Sequence, residues 1–171
     1  MSVPSGIACT CSVNMNFIAS LQRALTASTP QSSDAIQQGS NLANGAAGAA
    51  GTCNGAFLQK RTFGGATDQV VLRGGSITDD LGNTISFAAL RLLVVKNTGT
   101  AAITVGGGSN PIPLTNGTTD AINIPSGGMF VWFDGTTDAA GMALTAGTGC
   151  NLNIGGTLGQ TWTVLAVGTL V

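Results

Sequence analysis

The sequence contains no histidine, no glutamate and no tyrosine. Histidine and glutamate are among the commonest general acids and bases in enzymes, so proton transfer would fall to aspartate, cysteine or lysine. Groupings of serine or cysteine with histidine are excluded, and no Gly-x-Ser-x-Gly, Gly-x-x-x-x-Gly-Lys or Gly-x-Gly-x-x-Gly motif is present. We therefore expect a protein that is not an enzyme and that binds no cofactor.

Charge is also scarce, because six Lys or Arg and seven acidic residues make up 8% of the 171 residues, against about 25% in typical globular proteins. The cations are scattered along the chain, so we expect no nucleic-acid partner. No apolar run approaches the roughly 18 residues of a membrane span, and the N-terminus lacks the basic start of a signal peptide. We expect a soluble protein, made in the cytosol without a membrane partner, that forms an obligate assembly because so few charges protect it from association.

The four cysteines, which lie at positions 9, 11, 53 and 150, are too few and too far apart for a disulfide framework. Three pairings are possible, and a cytosolic protein would keep the thiols reduced. Cys9 and Cys11 would lie on one side of an extended segment, but their spacing is not that of a zinc knuckle, and we expect small buried hydrophobes. The aspartates at Asp79-Asp80 and in the loop 134–138 match no EF-hand and are expected to form turns, so we predict no metal site.

Residues 1–66 form the first of two expected units, an N-terminal arm. The spacing of apolar residues predicts one short amphipathic helix over residues 16–27, which ends before Pro30. Its apolar face is the predicted partner-binding site and consists of Phe17, Ile18, Leu21 and Leu25. The Gly/Ala-rich stretch from Gln31 to Gly55 has too few large apolar residues to build a core. Either the arm is a flexible terminus or, as we prefer, it becomes ordered only against neighbouring subunits, with roughly 40 extended residues spanning on the order of 130 Å.

The second unit, residues 67–171, is expected to be an all-β sandwich organised around a strand from Ser86 to Asn97. That strand is apolar on both faces, so it needs an opposing sheet on one side and an arm or a second subunit on the other. Short apolar runs cut by turn residues at about ten-residue intervals complete the pattern. The predicted strands are Gln69–Arg73, Ile85–Phe87 leading into Leu90–Lys96, Ala101–Val105, Ala121–Ile124, Met129–Phe133, Met142–Thr145, Cys150–Ile154 and Gln160–Val167.

Three large or charged side chains in these strands have alternative interpretations. Arg91 is either buried and paired, for which Asp68, Asp79, Asp80 or a carbonyl-rich turn are candidates, or extended to a strand edge. Trp132 and Trp162 could form a sugar-binding platform, although burial is the usual fate of tryptophan inside an apolar strand.

Several motifs of the second unit resemble a family of small virion structural proteins of tailed bacteriophages. They are Thr67-Asp68-Gln69-Val70-Val71-Leu72, Gly75 to Asn83, Phe87 to Asn97, Val105 to Gly108, Ile124 to Gly128 and Ala146-Gly147. The resemblance covers roughly residues 60 to 171. It implies a jelly-roll-like antiparallel β-sandwich that oligomerises on the virion, most often as a decoration (cement) trimer bound to the major capsid protein on the capsid surface. The alternative is a tail or fibre component that binds a receptor or glycan on the host surface.

Overall fold

The computed structural model describes residues 11–22, 31–45, 51–75, 77–78, 82–114, 117–134 and 141–171. These residues contain fourteen β-strands and no helix. In chain order the strands are β1 (Cys11–Gln22), β2 (Gln31–Asn44), β3 (Thr52–Cys53), β4 (Gly55–Thr62), β5 (Thr67–Val71), β6 (Ile77–Thr78), β7 (Thr84–Ile85), β8 (Phe87–Asn97), β9 (Ile103–Gly106), β10 (Ala121–Ile124), β11 (Met129–Phe133), β12 (Met142–Ala143), β13 (Asn151–Gly155) and β14 (Thr161–Leu170).

Eight of these strands build a sandwich of two antiparallel sheets. One sheet has the order β11-β8-β14-β4, with β12 added to part of β8, and the other has the order β10-β9-β13-β5. Along the chain, the first of the eight strands pairs with the last (β4 with β14), the second with the seventh (β5 with β13), the third with the sixth (β8 with β11) and the fourth with the fifth (β9 with β10). This nested pairing is the connectivity of a jelly roll, so the predicted jelly-roll sandwich is confirmed.

The core lies between the inner faces of the two sheets. Trp162, Val164 and Ala166 of β14 alternate inward, as the two-residue period of a strand requires, and all three are fully buried. The other large side chains of this core include Phe57, Phe63, Leu72, Phe87, Leu90, Leu93, Ile103, Ile112 and Leu144. Strand β14 thus forms the centre of the larger sheet, between β8 and β4.

Strand β8 does not run in perfect register with β14. Val167 lies opposite Leu92 and Gly168 opposite Leu90, so Arg91 is the extra residue of a β-bulge. The two backbones come so close here that a Cβ added to Gly168 would lie 2.1 Å from the carbonyl oxygen of Ala89. A residue without a side chain is therefore required at position 168.

The structure differs from the helix prediction for residues 16–27. Residues 16–22 belong to strand β1, which pairs with β2 over its whole length, and residues 23–27 lie outside the described residues. The physical reason is visible in the sequence, because positions 11, 13, 15, 17, 19 and 21 are all apolar and, apart from Ile18, the positions between them are polar. Residues four apart, such as Phe17 and Leu21, share one face of a helix, but they also share one face of a strand, because alternate strand residues point to the same side.

The expected boundary between arm and sandwich, at residues 66 and 67, also differs from the structure. Strand β4 pairs with β14 from Thr62 to Gly55, and Phe57 and Phe63 are part of the core. The sandwich therefore begins near Gly55. The segment from Gln31 to Asn44, expected as a linker, is strand β2.

Candidate functional site

The sheet formed by β4, β8, β11 and β14 has a second face, turned away from the core, which we call the outer face. Strand register places its residues in three rows that each cross the four strands. In the order β11, β8, β14, β4, the first row is Phe133, Leu92, Val167 and Ala56; the middle row is Val131, Val94, Leu165 and Leu58; the last row is Met129, Lys96, Thr163 and Lys60. The first two rows are apolar across the whole sheet.

The centre of the first row is covered by the base of the N-terminal arm, whereas Phe133 at one end is half-buried and Ala56 at the other is exposed. Leu42 of β2 and Cys53 of β3 pack on Leu92 and Val167, and all four residues are at most 3% exposed. The strand β3 is held beside β14, because the amide of Asn54 donates a 3.0 Å hydrogen bond to the carbonyl of Gly168 and its side-chain oxygen accepts one from the amide of Leu170. The prediction that the second face of β8 needs its own cover is thus confirmed for this row, and the cover is the arm.

The middle and last rows are not covered to the same extent. Leu58 is 54% exposed and Met129 is 58% exposed, while Val94, Val131 and Leu165 are half-buried. A single exposed leucine is ordinary on a protein surface, but a contiguous apolar strip rimmed by polar groups is typical of a protein interaction site. Lys60 and Lys96 supply the charge at its rim. The outer face is therefore the candidate functional site.

One end of the outer face is fixed by a buried ion pair. The guanidinium of Arg91, of which 1% is exposed, contacts the carboxylate of Asp134 at 2.5 Å, and the amide of Asp134 donates a hydrogen bond to the carbonyl of Arg91. Arg91 is therefore buried and paired, and it does not extend to a strand edge. The predicted partners were wrong in the case of Asp68, which pairs elsewhere, and Asp79 and Asp80 lie outside the described residues.

A second ion pair links the edges of the two sheets. Both nitrogens Nε and Nη2 of Arg61, on β4, donate 2.8 Å hydrogen bonds to the carboxylate of Asp68, on β5. The guanidinium also lies 5.8 Å from the ring centroid of Trp162. The hydrogen bonds from Arg61 lower the pKa of Asp68 below its ordinary value of 3.8, and they outweigh the opposing effect of burial. Arg61 also lines a cleft of about 320 Å³ at the open edge of the sandwich.

The two tryptophans form no exposed platform. Trp162 is fully buried in the core beside Phe63, and Trp132 is partly buried against the same core. The structure supports the second interpretation of these residues, in which they are packing residues.

The outer side of the smaller sheet is polar. It carries a groove of about 560 Å³ lined mainly by glycine, threonine and amide side chains. Within it the side chain of Gln69 donates a 2.7 Å hydrogen bond to the side-chain oxygen of Asn153, whose nitrogen donates to the carbonyl of Gly107. The sandwich therefore presents an apolar surface on one side and a polar one on the other, where Asp68 is the charged residue among the groove's lining.

The structure separates the four residues predicted to bind a partner. Phe17, Ile18 and Leu21 lie in β1, opposite Ile36, Ala35 and Ser32 of β2, and Leu25 lies outside the described residues. In a strand, positions 17 and 21 share one face of the hairpin and position 18 belongs to the other. The alternation of apolar residues from Cys11 onward was the signal that could have shown this.

In the described part of the chain, the cysteine and acidic residues do not form a further candidate site. Cys53 and Cys150 are buried, Cys11 is the first residue of β1, and Cys9 lies outside the described residues. In the described ranges, no three histidine, cysteine or acidic side chains are placed to hold a metal ion. Nor does that part of the chain contain a helix long and apolar enough to cross a membrane.

Comparison of the chain with protein-family models, with curated proteins and with solved structures finds no match in any of the three.

Proposed function

We propose that this protein is a structural component of a tailed-phage virion, a capsid decoration protein that binds and stabilises the head lattice. The observation that carries the proposal is the outer face, an apolar surface of the sandwich that, among the described residues, is fully covered only around Leu92 and Val167. Such a surface favours burial against other protein, and the chain offers no histidine or glutamate for catalysis. A jelly-roll body agrees with the resemblance of its turns and strands to small virion proteins.

The proposed partners are further copies of this chain, in a closed homo-oligomer that the resemblance suggests is a trimer, and the major capsid protein. Two surfaces are available for them, the outer face and the N-terminal arm with Phe17, Ile18, Leu21 and Leu25. Strands β1 and β2 lie side by side, so the arm is a hairpin of 12 residue pairs that reaches about 40 Å from its base. That length suffices to contact an adjacent subunit on a capsid surface.

The test is binding to phage heads that lack the protein. Purified protein should sediment with such heads in hundreds of copies, and immunogold labelling of intact virions should cover the head. Decorated heads should also withstand higher temperature than undecorated heads, because a ligand that binds only the assembled lattice stabilises it. Labelling confined to the tail, or no sedimentation with heads at micromolar protein, would refute the assignment.

The second candidate function is that of a tail or fibre component that binds a host-surface glycan. The polar groove on the smaller sheet favours it, since hydroxyl and amide side chains such as Gln69, Thr104 and Asn153 offer hydrogen bonds without charge. Immunogold labelling at a single vertex, together with retention of the protein on immobilised host glycans, would support this candidate instead.

A further inference from the structure

We infer that the larger sheet continues from one copy of the chain into the next, with the edge strand β4 of one copy paired to the edge strand β11 of its neighbour. This contact deepens the proposed homo-oligomer, on which it rests, by naming the two surfaces that join its copies. It is tested on purified protein, so it can fail while binding to phage heads succeeds, and the reverse.

Strands β4 and β11 each end the larger sheet with an unused row of backbone groups. The order β11-β8-β14-β4 gives each of them one neighbour, and in the described residues no strand pairs with their second side. With eight residues, β4 is the longest of the four edge strands of the sandwich. An open edge of this kind is a template for a strand from another chain.

The hydrogen bonds to β14 show which residues face the open edge of β4. Directly after β4, the amide of Phe63 donates a 2.9 Å hydrogen bond to the carbonyl of Gln160. Alternate residues of an antiparallel strand direct their backbone groups to the same neighbour, so residues 57, 59 and 61 also face β14. The residues of β4 with outward backbone groups are therefore Ala56, Leu58, Lys60 and Thr62.

The same argument applies to β11. The amide of Asn97 donates to the carbonyl of Gly128, and the amide of Asp134 donates to the carbonyl of Arg91, so the even-numbered residues face β8. The outward backbone groups belong to Met129, Val131 and Phe133. On both edges, these are the residues whose side chains lie on the outer face. Two such edges can therefore join in one continuous sheet.

Strands β4 and β11 also run in opposite directions, because three antiparallel pairings separate them. A neighbour in the same orientation therefore places its β11 antiparallel to β4, and the three rows of the outer face continue into it. With the second residue of each pair in the next copy, the pairs are Leu58 with Val131, Lys60 with Met129, and Ala56 with Phe133. These three pairs would exchange about six backbone hydrogen bonds.

Apolar groups at the two edges lack cover in the single chain and would supply it to each other. Of the four large apolar side chains that are mostly exposed in the described chain, two lie here, Leu58 on β4 and Met129 on β11. On the core side, Trp132 of β11 is only partly buried, and this register places it opposite Phe57, as an aromatic cross-strand pair. Pairing of two β4 edges would bury Leu58 but would leave Met129 and Trp132 uncovered.

Charge does not oppose the contact. Lys60 lies opposite Met129 of the next copy, and the Lys96 of that copy is one strand further away, about 10 Å from Lys60. Within one chain, Lys60 and Lys96 are separated by the same two strand spacings across Thr163. The contact therefore brings no like charges closer than they already are.

The contact joins two different surfaces, so each copy offers one edge to each of two neighbours. Contacts of this heterologous kind close into a ring or grow into a filament. A ring uses both edges of every copy, and it agrees with the proposed trimer.

Disulfide trapping tests the register directly. Lys60→Cys and Met129→Cys are prepared as separate variants of the full chain and mixed under oxidising conditions. Residues opposite each other in a hydrogen-bonded pair have Cα atoms about 5.5 Å apart, which is within disulfide range. The mixture should give a covalent dimer on a non-reducing gel, whereas each variant alone should not.

Two controls accompany the trapping. Lys60→Cys mixed with Leu158→Cys should stay uncrosslinked, because Leu158 is 70% exposed but lies in the turn between β13 and β14, away from both edges. The natural protein measures the background from its own four cysteines.

Proline variants test the backbone hydrogen bonds. Lys60→Pro and Met129→Pro each remove an amide that faces an open edge, a position at which edge strands tolerate proline, so the single chain should keep its fold. Lys60→Ala and Met129→Ala are the matched controls, since they shorten the same side chains and keep the amides. Light scattering after size exclusion should show an oligomer for the natural protein and the alanine variants, and a single chain of 16.9 kDa for each proline variant.

Three outcomes would overturn the inference. A natural protein that is monomeric at micromolar concentration would exclude the contact. Crosslinking of Lys60→Cys to itself as efficiently as to Met129→Cys would indicate that two β4 edges pair. Proline variants that fold, by circular dichroism and urea midpoint, and still assemble would place the contact elsewhere, as in face-to-face packing of two sandwiches. If a proline variant does not fold, the trapping experiment decides alone.

Discussion

The buried pair of Arg91 and Asp134 allows a quantitative test of the fold. We expect Asp134→Ala to destabilise the protein strongly, because it leaves a guanidinium of which 1% is exposed next to an apolar sheet. Removing one partner of a buried ion pair typically costs about 3–5 kcal/mol. For a chain of this length, 1 kcal/mol corresponds to about 2–4 °C in Tm, so the expected loss is about 10 °C.

The reverse change should be milder. Arg91→Met keeps the length of the side chain and leaves the carboxylate of Asp134, which is 13% exposed, with some access to water. Arg91→Ala should cost several kcal/mol, because it adds a cavity to the loss of the pair. The double variant Arg91→Met/Asp134→Leu replaces the pair with apolar groups and should be about as stable as the natural protein.

Urea denaturation of these four variants, and of Asp134→Leu to complete the cycle with Arg91→Met, measures these differences at one fixed protein concentration, since self-association adds to apparent stability. A double-mutant cycle should give a coupling energy of about 2 kcal/mol or more between positions 91 and 134. If the single substitutions each cost less than about 1 kcal/mol and their effects add, the pair is not buried as described and the reasoning fails.

Three further outcomes are expected. Gly168→Ala should destabilise the sandwich by several kcal/mol, because the added Cβ would collide with the carbonyl of Ala89. The control Gly64→Ala should be tolerated, because no atom lies within 4 Å of a Cβ at that position. Equal urea midpoints for the two variants would contradict this. The pKa of Asp68 is lower in the folded protein than its ordinary value of 3.8, so its pair with Arg61 stabilises the fold above pH 3.8, and this stabilisation is lost as the pH falls through the folded-state pKa. The variant Asp68→Asn should therefore reduce the dependence of the unfolding free energy on pH in the acid range. An unchanged pH dependence would argue against the pair. Self-association should persist in about 1 M salt, because the proposed contact is mainly apolar, and dissociation under light scattering at that salt would indicate an electrostatic contact.

The sandwich could be predicted from the sequence where turn residues mark both ends of a strand. Strands β10 and β11 have the predicted bounds, since Pro125-Ser126-Gly127-Gly128 separates two apolar runs that have no other break. The two-sided apolarity of β8 also predicted a second cover, which Leu42 and Cys53 provide at one end. Local patterns sufficed for these features because each depends on residues adjacent in the chain.

The partner of Arg91 and the strand conformation of β1 could not be predicted from local sequence patterns. The partner of Arg91 depends on the register of β11 with β8, which places Phe133 opposite Leu92 and brings the next residue, Asp134, beside the bulge. Register is set by packing over the whole sheet, so a sequence cannot select among several aspartates. The helix prediction for β1 failed because a four-residue spacing fits both periods, and the pairing with β2 determined the outcome.

The pairing of β1 with β2 limits how far one subunit would reach on the proposed capsid lattice. A single extended strand from residue 1 to residue 40 would span on the order of 130 Å, but a hairpin turns back and reaches only about 40 Å from its base. On the proposed lattice, such an arm would contact only subunits that lie within about 40 Å of its base. Mechanical reinforcement would then depend on local occupancy, so that a missing copy weakens only the sites next to it and stiffness rises in proportion to the number of adjacent filled pairs.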